Sequence, residues 1–200
     1  MSPAPPPLAV TCKQTNCSPN VRPAARRHSF LTLAESLPSI GGTCRSCGAD
    51  VVDWDRCHQR DPNDVDALVA DMRKEFIRDV YWGDPLPERI RRLALARSSD
   101  ALKTSHGKLL RRELTPPQSE NPWLQMHTYY GHKQGARIVH CAQHATATCC
   151  RNCLEQWHGI PREQRLTDAE LNYFEGLTWR YTEQRLAEPV MDEVEDARAA

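Results

Sequence analysis

Residues 140–158 read HCAQHATATCCRNCLEQWH, and seven of these nineteen positions are cysteine or histidine. The first part, QHATATC, alternates small and polar side chains, which predicts a strand with His144, Thr146, Thr148 and Cys150 on one face. From Cys150 the pattern turns helical, and Cys150, Cys153, Leu154 and Trp157 share about a third of the circumference at ~100° per residue. Gly159 and Pro161 end that helix. A strand that delivers His144 to a helix start bearing Cys150 and Cys153 is a metal-binding geometry, because zinc takes nitrogen and sulfur ligands in a tetrahedron. One ligand is still missing. Cys149, Cys141 and His158 compete for that place, His158 being turned well away from Cys153 at the far end of the helix.

Two other chemistries use the same residues. A CxxC pair at a helix N-terminus has its thiolate stabilised by the helix dipole, and Arg151 adds to that field, so Cys150 and Cys153 are also a candidate redox pair. No clear βαβ pattern surrounds them, and His144 makes ligation the simpler reading. A zinc-dependent deaminase requires an acid two residues after its histidine, where this chain has Thr146. HExxH, GxSxG, GxxxxGK[ST] and GxGxxG are all absent.

Towards the N-terminus lies a second cysteine pair, TCRSCGAD, in which a tight turn can present Cys44 and Cys47 to one ion. Cys12 and Cys17 are the nearest complement, giving C-x4-C, a spacer of 26 residues and C-x2-C. Otherwise Cys57, His58 or the later cluster completes the knuckle. The expected cofactor is therefore zinc, as one or two ions.

The rest of the chain reads as mostly helical. ADVVDWD predicts a short strand. DPNDVDALVADMRKEFIRDVYWGDP predicts one helix, with Pro62 and acids at its start, Val65, Leu68, Met72, Phe76 and Val80 on one face, and Gly83 and Pro85 at its stop. Two further helices follow at 87–97 and 100–114, the second weakened by Gly107. MHTYYGHKQGARIVHC predicts a β-hairpin. In LTDAEL, Thr167 and Glu170 form a capping box and Leu166 with Leu171 a hydrophobic staple, ahead of a stripe of Leu171, Phe174, Leu177 and Tyr181.

These elements predict an α+β fold, mainly helical, with a short β-hairpin and an N-terminal cysteine-rich zinc module. The expected divisions are a disordered proline-rich tail at 1–11, the cysteine-rich module at 12–58, a helical domain carrying the Cys/His cluster at 59–186, and an acidic disordered tail at 187–200. No apolar run approaches the ~20 residues that span a bilayer. MSPAPPPLAV has neither a basic start nor a long apolar core, so it does not read as a secretory signal. The expectation is a cytoplasmic protein whose nine cysteines stay reduced, available for metal rather than for a disulfide framework.

The net charge of zero conceals an uneven distribution. Residues 86–115 hold eight Lys/Arg against three acids, while residues 161–200 hold ten acids against five Arg. The basic segment from Arg89 to Arg112 is a candidate contact surface for nucleic acid or a protein partner, and two solvated helix faces are the plainer explanation.

The run QHATATCCRNCLEQWHGIP, followed by LTDAELNYF, resembles an uncharacterised bacterial domain-of-unknown-function family with a QHATATCCRxCLxxWHGIP signature. FLTLAES, CRSCGADVVDWDR and MRKEFIRDVYW extend the likeness, so that it covers about residues 29–186. The resemblance implies a shared fold and supplies no activity. Its matching ligand candidates are Cys44, Cys47, His144, Cys149, Cys150, Cys153 and His158, while Cys57 and Cys141 stand where related sequences often differ.

Three functions follow from this reading. The first is a zinc-stabilised binding module. The second is a zinc enzyme with an open position at His144, Cys150 and Cys153, and with His158 or His140 for proton transfer; Glu155 is the only acid in its motif. The third is a thiol redox protein using Cys150 and Cys153.

Overall fold

Asp53 starts the ordered run of helices by accepting a hydrogen bond from the Arg56 N–H at 3.0 Å, as an N-cap should. The computed structural model describes Cys44 and residues 49–115, 137–161 and 164–188. Among these residues the elements are α1 (Trp54–Gln59), α2 (Val65–Met72), α3 (Phe76–Gly83), α4 (Glu88–Leu95), α5 (Ser99–Leu114), α6 (Ile138–Ala145), α7 (Arg151–His158) and α8 (Asp168–Ala187). No helix among them is long and apolar enough to cross a membrane.

α6 and α8 pack on each other at the centre. α3, α4 and α5 lie against α6, α2 and α5 lie against α8, and α1 lies on α7. One buried cluster runs through all of it, from Cys44, Val51 and Val52 to Leu177 and Tyr181. α8 follows its sequence signals closely. The Thr167 hydroxyl accepts from the Glu170 N–H at 3.2 Å, the Glu170 carboxylate accepts from the Thr167 N–H at 2.8 Å, and Leu171, Phe174, Leu177 and Tyr181 are buried. α5 runs unbroken through Gly107, where a Cβ would meet the Glu175 carboxylate of α8 at 2.1 Å. Glycine there leaves the space that the Glu175 carboxylate occupies.

The expected α+β class is wrong: the described residues contain helices and no strand. Residues 138–145, read as the end of a hairpin and the start of a strand, form α6. Seven of its eight residues are buried, so it lacks the polar stripe that marks a surface helix, and the small-polar alternation mimics a strand. The remainder of the predicted hairpin lies outside the described residues. ADVVDWD likewise forms no strand; its last residues enter α1.

The long helix expected after Pro62 is two helices. Between α2 and α3 the chain turns at Arg73 to Glu75, and the Glu75 side chain caps α3 by accepting from the Arg78 N–H at 2.8 Å. The break re-aims α3 so that Arg78 donates to the His144 carbonyl and the Trp82 indole donates to the Ala145 carbonyl at 3.2 Å. Those carbonyls lie in the last turn of α6, where intrahelical partners run short, and the His144 carbonyl also accepts from the Ala147 N–H at 3.4 Å. The proposed tails and most of the 12–58 module lie outside the described residues.

Candidate metal centre

The turn from α6 to α7 is built from residues that satisfy one another. The Thr146 hydroxyl donates to the Ala142 carbonyl at 2.8 Å and lies 3.2 Å from the Thr148 hydroxyl. The Thr148 N–H donates to the Gln143 carbonyl at 2.8 Å. Ala147, between them, has φ of 54°, the left-handed region that side-chain-bearing residues seldom occupy. Thr146, Ala147 and Thr148 are all buried. The threonines therefore hold a tight corner, and that corner sets where the next residues point.

Cys149 comes directly after it, Cys150 is the extended N-cap of α7, and Cys153 sits one turn into the helix. The Cys153 sulfur lies 3.4 Å from that of Cys150 and 3.6 Å from that of Cys149. All three sulfurs fall within 4.8 Å of one another and all three residues are buried. No disulfide joins the described cysteines. Sulfurs bound at about 2.3 Å to one tetrahedral ion stand about 3.8 Å apart, so this spacing fits thiolates around zinc.

Contact with the neighbouring sulfurs, Cys150 above all for Cys149, and then burial push the Cys149 and Cys153 thiols well above the ordinary range, while contact with Cys153 and the Arg78 charge pull Cys149 down. Thiols so placed become thiolates when a cation is bound between them. Arg78, fully buried on α3, supplies fixed positive charge beside the corner, with its guanidinium 5.5 Å above the Tyr81 ring and 5.7 Å above the Trp157 ring. Its Nε lies 3.6 Å from the Glu75 carboxylate, yet neither Nε nor Nη2 makes a hydrogen bond.

The histidines of the motif do not join the three sulfurs. His144 stacks on Tyr81 with ring centroids 5.1 Å apart and an interplanar angle of 17°. His158 donates through Nε2 to the Thr146 carbonyl at 3.0 Å and packs edge-on against Phe174. Burial lowers its pKa to about 3, so the ring is neutral, and its Nδ1 is buried without a hydrogen-bond partner. His140 pairs with Glu113 at 3.1 Å. Cys141 is half-buried and near the charge of Arg185 on α8.

Cys44 is buried, and its N–H donates to the Ala49 carbonyl at 2.7 Å. Cys12, Cys17 and Cys47 lie outside the described residues. Cys57 is fully buried in α1, with its thiol pushed up to about 12 by desolvation and by Asp53 and Asp71. Sequence reasoning missed Arg78. Its one signal was a lone arginine among Phe76, Ile77, Val80, Tyr81 and Trp82, the kind of charge that a buried helix keeps only for a partner.

The chain belongs to the family described as Domain of unknown function (DUF4186), whose model matches residues 66–183. That span contains α3, the threonine corner and all three clustered cysteines, and it begins after the Cys44 to Cys47 pair. No solved structure matches the chain.

Proposed function

We propose that this member of a domain-of-unknown-function family is a metal-stabilised binding protein. Cys149, Cys150 and Cys153 are three ligands of a zinc ion, and the α4–α5 face meets a partner. The observation that carries the metal reading is the convergence of three buried sulfurs at the start of α7, at 3.4 and 3.6 Å from Cys153. Soft thiolates favour zinc among the common divalent ions. Bound there, zinc supplies a cross-link between the threonine corner and α7, which can be worth much of the folding free energy of a small domain.

The two other readings have less support. A zinc enzyme at His144, Cys150 and Cys153 needs His144 at the ion, and that ring stacks on Tyr81 instead. A redox pair needs an exposed thiolate of lowered pKa, whereas Cys153 is 1 % exposed with its pKa raised.

The partner face follows from what the basic segment keeps available. Arg91 donates to the Arg185, Leu186 and Glu188 carbonyls, capping the end of α8. Arg111 pairs with Glu175 at 3.0 Å, and the Lys103 ammonium lies 5.5 Å above the Trp179 ring. Those cations serve the fold. Arg89, Arg92, Arg97, Lys108 and Arg112 remain exposed, beside Leu93 at 51 % and Leu95 at 56 % exposure.

Elemental analysis of the protein, purified under reducing conditions without added metal, tests the metal centre against a Cys150→Ser/Cys153→Ser variant. The expected result is the loss of one zinc per chain in the variant. Equal metal content in the two proteins sinks the assignment.

A further inference from the structure

We infer that the cavity between α4, α5 and the start of α6 binds a small amphiphilic anion, with a carboxylate or phosphate head and an apolar body. This deepens the reading of the α4–α5 face as the partner surface and rests on it, but it does not depend on the metal centre. The cavity has a volume of about 420 Å³, within the ~300–1,000 Å³ usual for small-molecule sites.

Its charge is of one sign. Arg89 of α4, Arg97 just beyond α4, and Arg137 before α6 all line it, and among the described residues no acidic side chain does. Arg97 donates to the Ser105 hydroxyl at 2.9 Å. Arg89 and Arg137 pair with no group among the described residues. Elsewhere on the same helices, Arg91 donates to carbonyls at the end of α8 and Arg111 pairs with Glu175.

A second source of positive potential meets the cavity. Arg137 is the N-cap of α6 but offers no side-chain acceptor to the first turn, and Ile138 and Val139 of that turn line the cavity. The positive end of the helix dipole therefore lies at the same place as the arginines, an arrangement that favours a bound anion.

The remaining walls are apolar. Ile90, Leu102 and Leu109 form buried surface, and Leu93 extends the apolar lining to solvent. His106 closes the inner side as a neutral wall. Nε2 lies 2.9 Å from the Thr178 hydroxyl and Nδ1 lies 3.4 Å from the Thr182 hydroxyl, so both ring nitrogens are engaged from α8. A simple inorganic ion would use the arginines and leave this apolar surface wet, whereas an amphiphile uses both.

The test is titration calorimetry of the full chain with decanoate, octyl phosphate, decanol and inorganic phosphate. Arg89→Gln and Arg137→Gln variants are titrated alongside, with zinc content and helical circular dichroism read on every sample. Decanoate or octyl phosphate should bind one per chain, at least tenfold more tightly than decanol or inorganic phosphate. Preference between the two heads identifies a fatty carboxylate or a phosphate monoester. Each variant should lose at least tenfold in affinity with zinc and helicity unchanged. Equal binding of decanol, equal binding of inorganic phosphate, or no binding by protein of native helicity overturns the inference. Salt-sensitive binding of a polynucleotide by that same protein, unaffected by decanoate, would leave the partner face standing and remove the cavity ligand.

Discussion

The α5–α8 interface and the α6–α7 corner both bury a histidine, and they treat it differently. At α5–α8, His106 has a threonine hydroxyl at each ring nitrogen, and the Thr178 hydroxyl also donates to the Phe174 carbonyl at 2.7 Å. Every polar atom of that histidine is accounted for. At the corner, His158 satisfies only Nε2, Arg78 keeps two nitrogens without hydrogen bonds, and three cysteine sulfurs meet chiefly one another. Buried polar groups without partners are rare because each costs about 1–3 kcal/mol. The histidine of α5–α8 is satisfied by protein alone, whereas the corner gathers three buried sulfurs at the spacing of metal ligands.

Cys153→Ser is the sharpest attempt to break this contrast. With zinc at the corner, the substitution removes a central ligand and much of a binding free energy that can reach ~10 kcal/mol in structural sites. The variant should lose its zinc and unfold at far lower denaturant, and chelator should bring wild-type protein towards the same midpoint. If chelator leaves the wild-type midpoint unmoved, the corner is as self-contained as the α5–α8 interface and the contrast fails.

Arg78→Met comes next. It leaves the Glu75 carboxylate buried without its cation and the His144 carbonyl without its guanidinium donor. The loss should be about 3–5 kcal/mol by urea denaturation. Adding Glu75→Gln should recover part of it, because burial already pushes the Glu75 carboxyl towards its neutral form. A loss below about 1 kcal/mol would mean that the guanidinium is not a structural charge at all.

The third test belongs to α5–α8. Burial holds His106 at about 4 against an ordinary 6.5, so between those values the unfolded chain binds a proton that the folded chain refuses. Its contribution to stability is whole above pH 6.5 and is lost as pH falls towards 4, by about 3 kcal/mol in all at ~1.4 kcal/mol per unit. Around the ring stand Thr178, Thr182 and Trp179 of α8, and Arg89, Arg97 and Arg137 line the same cavity. None of these favours a protonated ring. His106→Gln should therefore lower stability at pH 7 while flattening the acid limb of the stability curve by one proton. His58 and His158 shift in the same direction and supply the slope that remains. An unchanged slope would show that His106 is not closed off as the geometry requires.

The same contrast explains what was legible in the sequence. α8 announces itself because its cap and stripe are local, and the clustered cysteines announce themselves because their chemistry is soft and their spacing short. α6 was misread because burial on nearly all sides erases the 3.6-residue stripe. The break between α2 and α3 was hidden because Met72, Phe76 and Val80 keep the helical interval across it. The histidines lie apart from the three sulfurs for a related reason: residue type reveals what a side chain can bind, while its direction depends on α3 and α8, more than a turn of chain away. Tyr81 and Phe174 hold His144 and His158 by packing, which no spacing rule within 140–158 contains.

Gly159→Ala is the smallest and most local test of the corner. Gly159 ends α7 with φ of 65°, and its N–H donates to the Glu155 carbonyl at 3.1 Å. An alanine there is strained by the left-handed backbone, by about 1 kcal/mol, and its Cβ would stand 3.1 Å from Cγ of the His58 ring. His58 is exposed and stacks on Trp54 at 6.1 Å, and Trp54 meets Trp157 edge-on at 5.1 Å. The ring can yield by tilting away, so the steric part should be modest and the total about 1–2 kcal/mol. Zinc content should not change, because the strain falls at the end of α7 opposite the three cysteines. A Gly159→Ala protein that loses both stability and zinc would show that α7 transmits strain along its whole length, making corner and helix end one cooperative unit; His58→Ala in the same background then separates the ring contact from the backbone strain.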